Sequence, residues 1–441
     1  MKKFLILSVL IGAVHSDMLA QSPWTLRQCI EHAVGHNISI KQKQNTCKKQ
    51  ETQLSTARNS RLPDLNASAS ETFSFGRGLT LDNTYTDRNT NSTSFSLGTT
   101  VPLFTGFQIP NQIKLNELNL EAATQDLEKA KNDIRMQVAK AYVEILYDQE
   151  IADVAHRQIS IDSAQVVRLR AFVENGKASQ AELSRQQSTL AQSQLTATQA
   201  DNNYQLALLA LSQLLELSTP DGFTIVRPIV STVPKGASLG ISPEAIYAEA
   251  LTIKPEVRAE QLRLSAADRN INIAKAALYP TLNFNAGLQT NYYKTSGMPA
   301  DPFGTQMKNN FSQYLGLSLN VPIFSRFRTR NNIRSARIDR ENQLLQLENV
   351  KKTLYKEIQQ VYYNAIAAQS KYESSQSAQQ SSLDAFTLTQ AKYENGKATI
   401  TEFNEAKNNY LKTESDLVKA RYEYLYQTAL LDFYRGRQLD F

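Results

Sequence analysis

The chain is written twice. Glu174-Asn175-Gly176-Lys177-Ala178 recurs as Glu394-Asn395-Gly396-Lys397-Ala398, and Val101-Pro102-Leu103-Phe104 recurs as Val321-Pro322-Ile323-Phe324. Earlier in each half, Arg61-Leu62-Pro63-Asp64-Leu65 answers Leu278-Tyr279-Pro280-Thr281-Leu282, so the offset runs from 217 to 220 residues. A repeat of this kind requires both halves to adopt one fold. The spacing predicts a first repeat over 21–217 and a second over 241–441. The segment between them, 218–240, reads as a linker because Pro220, Gly222, Pro228, Pro234 and Gly236 punctuate it.

Each half reads as short helix, helix, two strands, a very long helix, a turn and a returning helix. Apolar residues at Leu127, Ala130, Ile134, Val138, Ala141 and Ile145 follow 3/4 spacing, and Leu347, Val350, Leu354, Ile358, Val361 and Ala365 repeat it 220 residues later. That spacing marks one apolar stripe on a helix packed against others. The long helices extend over about 106–174 and 325–394, and no proline interrupts either after Pro110. Some 70 residues rising 1.5 Å each span roughly 100 Å, far beyond a globular helix. Gly176 and Gly396 fall where a helix end needs a left-handed residue. Ser179 to Glu182 and Thr399 to Glu402 then match the capping box of the next helix. The returning helices, about 179–217 and 399–437, together with the helices at about 38–62 and 256–278, come close to the length of one long helix. A wall in which each long helix is flanked by a stacked pair of shorter ones is therefore expected.

Between the helices the period changes from 3.6 to 2. Leu65, Ala67, Ala69, Phe73 and Phe75 alternate with polar residues, apart from Glu71, and the same alternation runs through Phe95 to Val101, Leu282 to Tyr292 and Leu315 to Val321. Strands are predicted at about 63–76, 92–102, 280–293 and 311–322, each near the 9–11 residues that cross a bilayer when tilted. The segments 76–92 and 295–310 are long and polar, like the external loops of membrane barrels. Four strands cannot close a barrel, and a bare edge in lipid is not viable. Oligomerisation must complete it. Two copies would give eight strands and a bore filled by side chains, whereas three give twelve and leave a passage.

The compartment is read from the N-terminus. Lys2 and Lys3 precede an apolar run over 4–14 and then small or polar residues around Ser16 and Ala20. This is the layout of a secretory signal peptide, assigned to residues 1–20, with cleavage after Ser16 or Ala20 both compatible. No later segment reaches the roughly 18–20 apolar residues of a spanning helix; the run 206–217 is too short and carries Ser212, Gln213 and Glu216. The two cysteines, Cys29 and Cys47, are too few for a disulfide framework, and the net charge of +6 is mild for 441 residues.

These features together resemble the TolC-like outer-membrane efflux protein family, over nearly the whole chain from Trp24-Thr25-Leu26 to the last helix. The residues that carry the resemblance are Val101 to Phe104, Val321 to Phe324 and the paired hairpins at Gly176 and Gly396. It implies a mainly helical trimer with a membrane β-barrel, in the outer membrane and extending into the periplasm. It also implies docking to a periplasmic adaptor and an inner-membrane pump of RND or ABC type. In the family the hairpins form the periplasmic tip, so Asn175, Gly176, Lys177, Ser179, Asn395, Gly396, Lys397 and Thr399 become adaptor-contact candidates. Acidic residues six and nine positions after the second hairpin glycine ring the aperture, which points to Glu402 and Glu405 here, with Glu182 as the first-hairpin counterpart. Tyr393 matches an aromatic whose hydroxyl helps latch the closed state, towards Glu182. Ala398 stands where a latching arginine is often found, and Arg326 replaces the expected glycine. Glu402 is equally well read as the capping partner of Thr399.

No enzyme is indicated. No phosphate loop, nucleophile elbow or zinc pattern occurs, the four histidines lack metal spacing, and no cofactor is implied. The one basic cluster, Arg326, Arg328, Arg330, Arg334, Arg337 and Arg340, would suggest nucleic acid in a cytosolic protein. In an exported one it suits a headgroup contact, a lumen-facing ring or a solvated helix face. The leading expectation is a passive exit duct of a tripartite efflux or type I secretion system. The alternative, a periplasmic coiled-coil adaptor or scaffold protein of an export complex, would share the helical hairpins and lack paired spanning strands.

Overall fold

The computed structural model describes residues 23–79, 82–219, 222–228 and 237–439. The expected signal peptide and much of the expected linker lie outside the described residues. The first half runs α1 (Leu26–His36), α2 (Ile38–Asn59), β1 (Asn66–Ser74), β2 (Arg77–Leu79), β3 (Tyr85–Asp87), β4 (Thr90–Phe104), α3 (Gln108–Glu174) and α4 (Gln180–Leu214). The second runs α5 (Pro243–Ile253), α6 (Pro255–Ala276), β5 (Thr281–Thr295), α7 (Phe303–Asn309), β6 (Ser312–Asn320), α8 (Arg328–Glu394) and α9 (Ile400–Tyr434). Helix lengths agree pair by pair between the halves: 11, 22, 67 and 35 residues. Two 67-residue helices persist because their sequences are rich in Ala, Gln, Leu, Glu and Lys, and the sole proline sits in the first turn of α3.

The chain divides into two compact units, one formed by Ser39–Ala130 and Tyr247–Glu357, the other by the described residues of Met1–Ile38, Lys131–Ile246 and Ile358–Phe441. The first unit holds an antiparallel sheet in the order β1-β4-β5-β6. The inner strands β4 and β5 are 15 residues long and pair with each other, while the outer strands β1 and β6 have nine each. Among the described residues the outer edges of β1 and β6 carry no partner strand, so regular pairing ends sooner there than the alternation of the sequence does. Below the sheet the helices follow the same order. Leu54 and Ala57 of α2 pack on Ile113 of α3, Leu118 and Ala122 of α3 pack on Leu262 and Ala266 of α6, and Arg340 of α8 bonds Asp268 of α6 at 2.8 Å. At the entry to α3, Gly106 has φ 60°, and a Cβ there would lie 2.5 Å from the Ala276 carbonyl oxygen. Only glycine fits that close crossing.

The alternation of the strands becomes two chemically distinct faces. One carries Leu97, Leu288, Leu315, Leu317 and Leu319, all exposed. The other carries hydroxyl and amide groups that pair across strands: Ser68 with Ser96 at 2.8 Å, Ser70 with Ser94 at 2.7 Å, and Asn285 donating to Ser318 at 3.1 Å. Glu71 is the exception on the apolar face, and Thr93 donates its hydroxyl to it. An exposed leucine face opposite a polar one is the pattern of a membrane barrel strand, and a coiled-coil adaptor has no use for it.

The two polar segments read as loops contain structure of their own. β2 and β3 form a small hairpin in the first. In the second, α7 lies along the part of β5 that β6 does not reach. There Gln306 accepts from the Tyr293 N–H at 3.0 Å and donates to its carbonyl at 3.1 Å, while Asn310 donates to the Asn291 carbonyl at 2.7 Å. Side-chain amides thus replace the missing strand and satisfy backbone groups in a segment of loop-like composition.

The second unit is built from the remaining helical segments. Small residues let helices approach closely, as where Ala152 and Ala155 of α3 meet Ala197 and Ala200 of α4. Cys29 is buried and Cys47, in the sheet-bearing unit, half-buried; both are free thiols. Trp24 forms a parallel bridge with Ile225, and the Tyr142 hydroxyl donates to the Val226 carbonyl at 2.5 Å. That short β contact, outside the repeat pattern, clips the chain entry to the segment after α4.

Candidate functional site at the helical hairpins

Both hairpins close with the same hydrogen bonds. After α3, the Gly176 N–H bonds the Val173 carbonyl at 3.0 Å and the Lys177 N–H the Phe172 carbonyl at 2.7 Å. After α8, Gly396 bonds Tyr393 at 3.1 Å and Lys397 bonds Lys392 at 2.8 Å. These are Schellman pairs, which need a left-handed residue after the cap. The glycines supply it with φ 69° and 70°, and open space surrounds each, so conformation rather than crowding selects them. Asn175 and Asn395 each donate to the carbonyl four residues back, at 2.7 Å.

The returning helices open on capping boxes. Ser179 accepts from the Glu182 N–H at 3.2 Å while Glu182 accepts from the Ser179 N–H at 2.9 Å. Thr399 and Glu402 repeat this at 3.2 and 2.7 Å. Hydrogen bonds from the cap residue hold both carboxyls below the usual carboxylate range. Glu402 therefore serves its own helix start, and it also lines an open concavity of about 650 Å³ with Glu405, Lys392, Lys397 and Lys412. The lysines outnumber the two acids there.

Tyr393 is 9% exposed and stacks on Phe403 at 5.0 Å, with Phe386 beside them. The guanidinium of Arg168 covers its ring at 4.9 Å and donates to the Glu394 carbonyl at 3.2 Å. Arg168 thus reaches from the first hairpin to the C-terminus of α8, where a cation complements the helix dipole. Burial raises the pKa of the Tyr393 hydroxyl; Arg168 opposes the rise and Glu182 adds to it. Glu182 lies near enough to be felt, but the carboxylate oxygen that bonds does so to Ser179.

One buried ionic contact joins the hairpins at positions the sequence did not single out. Lys407 of α9 donates to Asp162 of α3, and both side chains are 0% exposed. Ser193 donates to the same carboxylate at 2.6 Å and Gln186 at 3.3 Å; Asn404 donates to Gln186 at 3.0 Å. The equivalent positions 220 residues on, Ser382 and Thr413, keep only a hydroxyl pair. A signal was available. Asp162 interrupts the apolar stripe Ile159, Val166, Leu169, and Lys407 interrupts Ile400, Phe403, Leu411, so each is a charge on a core position. Arg168 had no such signal. Among the described residues no cluster of acidic, histidine or cysteine side chains could hold a metal ion.

Comparison with known proteins agrees with this architecture. The chain is 24% identical over 426 residues to the outer membrane efflux protein BepC of Brucella suis, covering 94% of this chain and 86% of that one. Its fold matches the CmeC outer membrane channel of Campylobacter jejuni with TM-score 0.79 at 17% identity, covering 94% of this chain and 87% of that one. It also matches the outer membrane protein VceC of Vibrio cholerae with TM-score 0.75 at 19% identity, covering 94% and 97%. Residues 29–216 and 246–437 both match the family described as outer membrane efflux protein. With one match on each repeat and the fold of its channels, the chain belongs to the outer membrane efflux protein family and is an efflux channel protein of the outer membrane.

Proposed function

We propose that three copies of this chain share one twelve-strand barrel and together form a passive exit duct. It would work with a periplasmic adaptor and an inner-membrane pump of RND or ABC type that supply the energy. The observation that carries this reading is the four-stranded sheet with an exposed apolar face and two edges, β1 and β6, that are unpartnered among the described residues. Backbone groups at such edges cannot stay bare in lipid. Pairing β6 of one copy with β1 of the next satisfies both, and three copies give a bore wide enough to leave a passage. Residues 1–20 are taken as the export signal, and 21–217 and 241–441 as the two repeats joined by 218–240.

The hairpin tips, Asn175 to Ser179 and Asn395 to Thr399, are the surfaces offered to the adaptor. Glu402 and Glu405 lie one turn apart on α9, so three copies would set six carboxylates around the aperture and favour cations there. Tyr393 and Glu182 flank it. The test is electrical: purified protein is added to a planar lipid bilayer and single-channel currents are recorded. Discrete conductance steps without any energy source are expected. A protein that folds and enters the bilayer yet passes no current would end the duct reading.

A further inference from the structure

The two strand-to-helix junctions have the same backbone and different chemistry. Gly106 and Phe107 have φ 60° and 66°, and Arg326 and Phe327, 220 residues later, have φ 51° and 61°. At the first of these two positions the first half has glycine. The second half holds an arginine there in the same left-handed geometry, a strained choice that needs a reason outside the backbone. Its neighbours extend the charge: Arg328, Arg330 and Arg334 stand where the first half has Gln108, Pro110 and Lys114. All four arginines are exposed, and among the described residues none makes an ion pair, whereas Arg340 is paired with Asp268. Directly before and between them lie Ile323, 94% exposed, Phe324, 72%, and Phe327, 60%. An apolar and aromatic girdle followed at once by unpaired guanidinium groups is what a lipid leaflet boundary selects, rings at the acyl edge and cations at the phosphates.

We propose that Arg326, Arg328 and Arg330, below the Ile323, Phe324 and Phe327 girdle, form a binding site for phosphate-bearing headgroups of anionic phospholipid in the periplasmic leaflet of the outer membrane. Guanidinium forks match phosphate oxygens in pairs, which an ammonium does not. The proposal rests on the outer-membrane placement of the sheet, and on Arg328 and Arg330 staying exposed when copies join, as their first-half counterparts Gln108 and Pro110 do beside their neighbouring helices.

The test reconstitutes full-length protein into phosphatidylcholine vesicles with and without phosphatidylglycerol, and counts lipid retained after mild detergent extraction. Wild type should retain phosphatidylglycerol several-fold above its share of the vesicle, and added salt should reduce the excess. The triple variant Arg326→Gln, Arg328→Gln, Arg330→Gln should lose the excess while keeping wild-type assembly on gel filtration and wild-type conductance. Lysine at all three positions should keep part of it. Equal retention by wild type and the glutamine variant overturns the proposal. So does competition by inorganic phosphate alone at vesicle-matched concentration, which would assign a free-anion site. A variant with unchanged lipid retention but altered charge selectivity would place the arginines in the passage and overturn it equally. Failure of the duct reading would show instead as absent conductance in wild type, whatever lipid it holds.

Discussion

The ammonium of Lys407 meets the carboxylate of Asp162 in a fully buried contact that ties α9 of the second hairpin to α3 of the first. Removing one partner strands a buried charge, at a cost of about 3–5 kcal/mol. Lys407→Met or Asp162→Leu alone should therefore lower thermal stability strongly, and the double variant should recover most of the loss. A double-mutant cycle by thermal unfolding checks this. Single and double variants that lose stability additively would show that the pair is not coupled.

The hairpin turns offer a smaller and cleaner test. Gly176→Ala and Gly396→Ala find open space but a left-handed backbone, so each should cost about 1 kcal/mol. Ser179→Ala and Thr399→Ala, which remove a cap, should cost about the same. Hydrogen exchange of the two turns should quicken in each variant without change elsewhere.

Acid should loosen the same turns. Glu182 and Glu402 have pKa values depressed in the fold by bonds from Ser179 and Thr399. A depressed carboxylate contributes stability above its unfolded pKa and loses it as pH falls through the folded value. Protection of residues 175–185 and 395–405, taken against the intrinsic exchange rate at each pH, should thus fall as pH drops below the ordinary carboxylate range. Glu182→Gln and Glu402→Gln should flatten that pH dependence; an unaltered profile in both would refute the assignment.

Tyr393 separates two accounts of how the hairpins hold together. Its ring lies between Arg168 and Phe403, while the bonded carboxylate oxygen of Glu182 faces Ser179. Tyr393→Phe should change stability by less than about 0.5 kcal/mol, whereas Arg168→Ala should cost about 1–2 kcal/mol by losing the ring contact and the Glu394 carbonyl. A large effect of Tyr393→Phe would assign the latch to the hydroxyl.

Glu402→Ala combined with Glu405→Ala probes the aperture. Reversal potentials measured across a salt gradient should shift toward weaker cation preference. Unchanged potentials would show that the lysine-rich concavity around these residues, not the carboxylates, sets the local field.

The fold was legible where chemistry repeats. The matched hairpin motifs, the 3/4 apolar stripes and the alternation from Leu282 to Tyr292 all rest on local periodicity, and they carry the long helices and the two strands of each half. What was not legible depends on partners distant in sequence. Gln306 caps β5 from a segment with loop composition, and Arg168 serves a helix end 226 residues away. Asp162 and Lys407 lay between these cases, since each is visible as a charge on an apolar stripe but only the structure pairs them.

The shared barrel itself can be tested with one cross-link. In β4 and β5, Thr99 lies opposite Ala286. Adding 220 to the first and subtracting 217 from the second, the repeat offsets, sets Leu319 of β6 opposite Ala69 of β1 in a neighbouring copy. Leu319→Cys with Ala69→Cys, in a chain whose Cys29 and Cys47 are replaced by serine, should oxidise in the membrane to a ladder that ends at three linked chains. Chains that stay single, or a ladder that ends at two or runs past three, would contradict the account.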